Sequence, residues 1–90
     1  MKIELFRLAS EPITIEVAGD SATIKAVFSA KGSAKVFGLD DMTIMEYLAD
    51  KGRDVYSLGD IRVNGVTATL ETEVHEGQMI LIIPKVEGGL

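Results

Sequence analysis

The chain has no cysteine, no tryptophan, one histidine and two prolines in 90 residues. Without cysteine it can form no disulfide, no thiolate nucleophile and no zinc–thiolate site. No apolar stretch approaches the roughly 18–20 residues that a membrane-spanning helix needs. Met1-Lys2 leads directly into strand-like sequence, without the long apolar segment of a signal peptide. We therefore expect a single cytoplasmic domain with no membrane partner.

Basic residues are also scarce, since nine Lys and Arg against 14 Asp and Glu give a net charge of −5. Nucleic acids and anionic membrane surfaces select basic faces, so we expect no nucleic-acid partner. The acidity suits a basic patch on a partner protein, or it simply keeps the domain in solution. Apolar residues make up 47% of the chain, which is typical of a globular protein and argues against disorder.

The first half of the chain predicts a hairpin followed by an ambiguous segment. Residues 2–8 have strand-forming composition, and residues 13–17 alternate apolar and polar side chains as a half-buried strand does. A turn-like break separates them, so the two segments form an antiparallel hairpin. Residues 23–31 fit both a helix face and a strand alternation. We favour the helix, because Asp20 or Ser21 can cap it.

The second half contains clearer signals. Residues 40–51 predict a helix that Asp40 or Asp41 caps and that stops at Gly52. Asn64-Gly65 lies between two strand-like segments and is the strongest short signal for a hairpin, because both turn positions favour positive φ.

The most apolar run is Met-Ile-Leu-Ile-Ile, at residues 79–83. Because this run does not alternate, it predicts a strand that is covered on both faces and lies in the middle of a sheet. Pro84 ends the strand, since proline has no N–H to donate to a neighbour. Strands at both ends of the chain, with helical material between, predict an α+β domain with a helix across one sheet face. The first strand is then the natural parallel neighbour of the last.

Three motifs follow one another in the second half of the chain: Ile61-Arg62-Val63-Asn64-Gly65, Val74-His75-Glu76-Gly77-Gln78, and residues 80–84 followed by Val86-Glu87-Gly88-Gly89. They look like the hairpin, the acidic-glycine turn and the apolar strand with a terminal diglycine of one known family. In these motifs the chain resembles the ThiS/MoaD-type sulfur-carrier proteins. The resemblance is strong over residues 43–89 and loose before them. It implies the ubiquitin-like β-grasp fold: a mixed sheet with the C-terminal strand central and a helix packed across one face. The domain would span residues 1–84, and a flexible Gly-Gly tail would span residues 85–90.

The resemblance also implies a function, that of a protein substrate with no catalytic residue, metal or bound cofactor of its own. A ubiquitin-activating-type adenylating enzyme would use ATP and magnesium to adenylate the carboxylate of Gly89. A sulfur donor would convert the product to a thiocarboxylate, which passes sulfur to an acceptor enzyme in cofactor or metabolite biosynthesis. Val86, Glu87, Gly88 and Gly89 would thread into the partner, because glycine has no Cβ to obstruct a narrow channel.

Two alternative functions stay open beside the carrier. The chain could be a ubiquitin-like modifier joined to lysines through Gly89, or a β-grasp interaction domain with an inert tail. Leu90 is a departure from the family, whose active members end at the second glycine. A trimming protease removes it, or it derives from an expression vector, or the tail is never activated.

Other candidate residues have simpler explanations. His75 lies near Glu71, Glu73 and Glu76, which suggests a metal site, but no fourth ligand is evident for the set on one strand face and a solvated loop is the better interpretation. The Asp40-Asp41 pair could pass for catalytic carboxylates, and helix capping explains it better.

We expect any docking surface on the sheet face away from the helix. Its candidate residues are Val66, Ala68 and Leu70, or their alternates along the strand, together with Val86 near the exit of the tail.

Overall fold

The computed structural model describes residues 1–85 and has an α+β architecture, as the sequence predicts. The strands are β1 (Lys2–Arg7), β2 (Ile13–Glu16), β3 (Ser21–Thr23), β4 (Asp60–Val63), β5 (Val66–Thr67), β6 (Glu73–His75) and β7 (Met79–Ile83). The helices are α1 (Ile24–Phe28) and α2 (Ile44–Lys51), with 3₁₀ helices at Ser33–Phe37 and Val55–Leu58. Neither α1 nor α2 is long and apolar enough to cross a bilayer.

The main sheet has five strands in the order β2-β1-β7-β4-β5. β7 is its middle strand, parallel to β1 on one side and antiparallel to β4 on the other. The expectation that the last strand is central and has the first as its parallel neighbour is confirmed. β3 and β6 form a separate antiparallel pair.

Both predicted hairpins are present. β1 pairs antiparallel with β2, and β4 pairs antiparallel with β5. In the turn between β4 and β5, Asn64 has φ 54° and Gly65 has φ 77°. These positive values are the ones that a two-residue hairpin turn requires, and they explain the Asn-Gly sequence.

α1 confirms the helical interpretation of residues 23–31, but its predicted cap is wrong. The N-cap is Thr23, whose hydroxyl accepts a hydrogen bond from the Ala26 N–H at 3.2 Å. Asp20 precedes this region, and Ser21 belongs to β3, where it pairs with His75. A short strand therefore occupies the residues that a longer helix would have used.

α2 likewise begins later than predicted. Thr43 is the N-cap, and with Glu46 it forms a capping box: Thr43 Oγ1 accepts from Glu46 N–H at 2.9 Å, and Glu46 Oε1 accepts from Thr43 N–H at 3.0 Å. The prediction that Asp40 or Asp41 caps the helix is wrong, because Asp41 has φ 59° and lies in a turn before it. Gly52 ends the helix in the left-handed conformation, as predicted.

The helices and one side of the sheet share a single apolar core. Ile24, Val27 and Phe28 of α1 are fully buried in it. Buried Ser33 joins the two helices, because its hydroxyl donates to the Phe28 carbonyl at 3.1 Å and accepts from the Ile44 N–H at 2.8 Å. We call the sheet side that enters this core the covered face; its central residues are Ile3, Leu5, Ile80 and Ile82.

The prediction that β7 is covered on both faces is wrong. Ile80 and Ile82 are fully buried, whereas Met79 is 40% exposed and Leu81 and Ile83 are only half-buried. An apolar run reports hydrophobicity, and it does not report which element lies over each face. We call the second side of the sheet the open face; its apolar residues are Phe6, Met79, Leu81 and Ile83.

Candidate functional site

The central strand ends at Ile83, and Pro84 and Lys85 are the last two residues that the structure describes. Pro84 ends the strand, as the sequence predicts. The predicted adenylation site at Gly89, the threading residues 86–89 and the processed residue Leu90 all lie outside the described part of the chain. The described residues include the base of the predicted tail, Pro84 and Lys85, and this base is the candidate site.

Gly59 holds this base in position through a very close backbone approach. A Cβ on Gly59 would lie 2.0 Å from the Ile83 carbonyl oxygen and 2.9 Å from the Pro84 Cα. Its backbone, at φ 124° and ψ −154°, is in a region that essentially only glycine occupies. Gly59 is itself buried and directly precedes β4. The end of β7 therefore packs against a site that admits no other residue type without displacement.

Two recesses flank Pro84 and Lys85. We call the first the cationic recess: it has a volume of about 330 Å³ and is lined by Arg7, Arg53 and Lys85 together with apolar side chains. The second, the apolar recess, has a volume of about 360 Å³ and is lined by Tyr56, Gly59, Asp60 and Ile83 as well as the tail base. Both recesses therefore adjoin the residues where the predicted tail would start, and a partner that bound the tail would meet them.

One wall of the cationic recess is an aromatic stack. The rings of Phe37 and Tyr47 have centroids 5.2 Å apart and an interplanar angle of 21°. The Arg7 guanidinium carbon lies 5.0 Å from the Phe37 ring centroid, a cation–π arrangement that restrains this long side chain. Phe37 comes from the first 3₁₀ helix, Tyr47 from α2 and Arg7 from β1, so three separate segments build the wall.

The open face is the second feature of the site. Leu81 lies between Phe6 of β1 and Arg62 of β4, and Met79 lies beside Glu4. Arg62 forms an ion pair with Asp60 at 2.8 Å along the flank of β4. An apolar strip with charged neighbours is a common form of protein-binding surface.

The residues predicted for docking are not the ones that form the open face. Ala68 is buried and belongs to the core, and Leu70 packs partly against it. Val66 is 66% exposed, but it pairs with buried Val63 and so lies at the edge of the covered face. None of these three residues lies on the open face, since Val66 is on the covered side and β5 ends at Thr67, so that the alternation does not continue through 68–70. Of the alternates, Thr67 pairs with Arg62 and so lies on the open face. Val86 lies outside the described residues.

The remaining polar candidates form no compact site. His75 Nε2 lies 3.8 Å from Glu73 Oε1, and both side chains are more than half exposed. His75 belongs to β6 and is not in a loop, which corrects the interpretation of this residue. Within residues 1–85, no three His, Asp or Glu side chains come together in a group that could hold a metal ion.

Sequence reasoning missed Gly59, Arg7 and Arg53. Gly59 carries a weak signal, since it stands between a polar connection and a strand without a turn partner. The two arginines carry none, because they are 46 positions apart and only the fold brings them to one recess.

Comparison with known proteins does not add to this geometry. No protein-family model, no curated protein and no solved structure matches the chain.

Proposed function

We propose that this chain is a β-grasp sulfur-carrier protein, and that Gly89 is the residue that a partner enzyme activates. The observation that carries the proposal is the position of β7. It is the central strand of the main sheet, and the sequence Val86-Glu87-Gly88-Gly89 follows shortly after its end. A tail that starts from the middle of a sheet has a fixed origin, and a diglycine end can enter a channel that rejects side chains.

The topology supports the β-grasp assignment. The N-terminal hairpin lies beside β7, with β1 parallel to it, and the second hairpin lies on its other side. α1 and α2 contribute buried residues to the core on the covered face. This arrangement is the one that the resemblance to ThiS/MoaD-type carriers implies for the fold.

The open face and the tail base support docking to a partner enzyme. The open face presents an apolar strip to the partner. The close packing of Gly59 against Ile83 and Pro84 fixes the end of β7, just before the tail. Residues 85–89 span at most about 17 Å, at roughly 3.3 Å each. That length lets the carboxylate reach an enclosed ATP site while the domain stays outside. Ordering the tail costs conformational entropy, and the free energy gained when the domain docks offsets that cost.

The chemistry that follows is carried out by the partner. The Gly89 carboxylate attacks the α-phosphorus of ATP, which is held with magnesium in the adenylating enzyme, and pyrophosphate leaves. The acyl-adenylate is a mixed anhydride, so a sulfur donor displaces AMP from its carbonyl carbon and leaves a thiocarboxylate. On the acceptor enzyme the thiocarboxylate sulfur forms a bond to the substrate, and water then cleaves the bond between that sulfur and the carbonyl carbon, which restores the Gly89 carboxylate. This chain is a substrate throughout and contributes no catalytic group.

The cycle needs a free carboxylate on Gly89, so the peptide bond between Gly89 and Leu90 must be cleaved before it can begin. A trimming protease performs that step. The mass of the untagged protein from its own cell tests it directly: a chain ending at Gly89 is expected, and an intact Leu90 would contradict the step.

The main experiment compares two forms of the chain, one ending at Gly89 and one ending at Leu90. Each is incubated with a ubiquitin-activating-type adenylating enzyme, ATP, magnesium and a sulfide source, and its intact mass is measured. The form ending at Gly89 is expected to gain the mass difference between one sulfur and one oxygen. The form ending at Leu90 is the matched control and is expected to stay unchanged.

Other outcomes identify the alternatives. Higher-mass conjugates to lysines of other proteins would indicate a ubiquitin-like modifier. No change in either form, with adenylating enzymes that activate their own carriers in the same assay, would indicate an interaction domain with an inert tail.

A further inference from the structure

The cationic recess brings three basic side chains together in an acidic chain. Arg7, Arg53 and Lys85 line it, which is three of the nine basic residues in a chain of net charge −5. No acidic residue is among the described residues that line it. Coulomb repulsion between like charges makes such a grouping unfavourable unless an anion joins it.

The arginines of the protein divide between two environments. Arg62 forms an ion pair with Asp60 and a hydrogen bond from its Nε at 2.9 Å. Arg7 and Arg53, the other two, form no ion pair with any residue in 1–85 and both face the recess. A guanidinium group without a carboxylate keeps its fork of N–H donors available for an external oxyanion.

The recess is also shaped before any ligand arrives. The cation–π contact with Phe37 restrains Arg7, and the stack of Phe37 on Tyr47 joins that contact to α2. Restraint lowers the entropy that Arg7 loses on binding. The volume of about 330 Å³ is at the lower end of the range of small-molecule sites, and it suits a compact ligand.

We propose that the cationic recess is a binding site for a small phosphate-bearing anion. Three positive side chains match a phosphate dianion better than a single carboxylate, and arginine binds phosphate oxygens in a bidentate manner. The apolar wall formed by Phe37, Tyr47 and Leu58 accepts the organic part of a phosphorylated ligand. Because Lys85 is the first residue of the proposed tail, the bound anion lies at the base of the tail. The proposal does not depend on activation of Gly89.

The test is an amide chemical-shift titration of the full chain with inorganic phosphate and, separately, pyrophosphate. Total ionic strength is kept constant with sodium chloride, so that general screening does not change during the titration. Saturable shifts are expected at the amides of Phe37, Ser57 and Leu58, with half-saturation in the low-millimolar range or below. Acetate and succinate, titrated in the same way, are expected to bind more weakly, which distinguishes phosphate from carboxylate recognition.

Two matched double variants complete the test. Arg7→Gln with Arg53→Gln removes the guanidinium pair, and Lys25→Gln with Lys31→Gln removes the same charge from residues that do not line the recess. The first is expected to weaken phosphate binding by at least about tenfold, since each charge-assisted hydrogen bond contributes more than that factor. The second is expected to leave binding unchanged. Arg53→Gln alone, at an exposed position, serves if loss of the Arg7 contact unfolds the protein.

Three results would overturn the proposal. Phosphate and pyrophosphate could produce no saturable shifts, the lysine variant could lose as much binding as the arginine variant, or succinate could bind as tightly as pyrophosphate. None of these results bears on whether an adenylating enzyme activates Gly89, because no enzyme is present in the titration.

Discussion

The two faces of the central strand show different uses of one apolar run. On the covered face, Ile80 and Ile82 are fully buried with Ile3 and Leu5 of β1. On the open face, the alternate residues of the same strand include Met79, which is 40% exposed. The strand is apolar throughout, so composition does not separate the faces; only the helical layer on one side does.

The covered face contributes mainly to the stability of the fold, whereas the open face leaves apolar surface available for binding. Full burial of an isoleucine side chain contributes about 1.5 to 3 kcal/mol, and half-burial contributes correspondingly less. The covered face therefore contributes the larger share of the folding free energy, and the partly buried apolar residues of the open face contribute a smaller share. An apolar strip that is left partly exposed on one sheet face is a candidate surface for association. This is the physical basis for placing the docking surface on the open face.

The largest expected effect comes from substituting the covered face. Ile82→Ala removes a fully buried side chain and leaves a cavity, so we expect a loss of about 3 to 4 kcal/mol in the free energy of unfolding. Ile83→Ala, the same change at the next residue on the open face, is expected to cost about 1 to 2 kcal/mol. Urea denaturation measures both. Equal losses would mean that the open face is covered as well, and would remove the distinction between the faces.

Gly59→Ala tests the end of β7, where the strand leads into the base of the predicted tail. Its Cβ would lie 2.0 Å from a backbone oxygen that cannot rotate away, in a conformation that disfavours any side chain. We expect a loss of about 3 kcal/mol, measured by urea denaturation, together with shifted amide signals at Ile83 and Lys85.

Gly65→Ala is the matched control for this change. Gly65 also has a positive φ, of 77°, but nothing lies within 4 Å of its added Cβ. The expected loss is about 1 kcal/mol, from the backbone conformation alone. If the two substitutions cost the same, the close approach between Gly59 and Ile83 does not fix the base of the tail.

A smaller effect is expected in the helical layer that covers one face. Thr43→Ala removes the hydroxyl that caps α2 and is expected to cost about 1 kcal/mol in urea denaturation. Asp40→Ala removes the cap that the sequence predicts and the structure does not contain, so its effect is expected to stay within about 0.5 kcal/mol. A larger loss for Asp40→Ala than for Thr43→Ala would restore the helix start that the sequence predicts.

The Thr43 and Asp40 pair also shows how far local sequence signals reach. The helix itself, its stop at Gly52 and the hairpin at Asn64-Gly65 follow from local propensity, and the structure confirms them. The choice among several capping residues does not follow, because Asp40, Asp41 and Thr43 are all competent caps. The turn at Asp41, with φ 59°, decides between them.

Long-range arrangement was predictable only where hydrophobicity forces it. The central position of β7 could be predicted, because an apolar strand at the edge of a sheet would be a site of aggregation, which favours a place between two neighbours. The covering of its two faces could not, since that depends on where the helices lie. The cationic recess could not be predicted either, because Arg7, Arg53 and Lys85 meet only after β1, β7 and the segment after α2 have packed.

The smallest effect on stability is expected on the open face, where the effect on function should be largest. Met79→Thr keeps a strand-forming residue at a 40% exposed position, so we expect the free energy of unfolding to change by at most about 0.5 kcal/mol. If the open face docks the adenylating enzyme, the KM for the form ending at Gly89 should rise about tenfold, which is about 1.4 kcal/mol of binding. Val66→Thr is the matched control: Val66 is more exposed, at 66%, but it lies on the other side of the sheet. If exposure alone decided the effect, Val66→Thr would raise KM more than Met79→Thr. A larger rise in KM for Met79→Thr would therefore show that the partner binds the open face and does not simply bind any exposed apolar side chain.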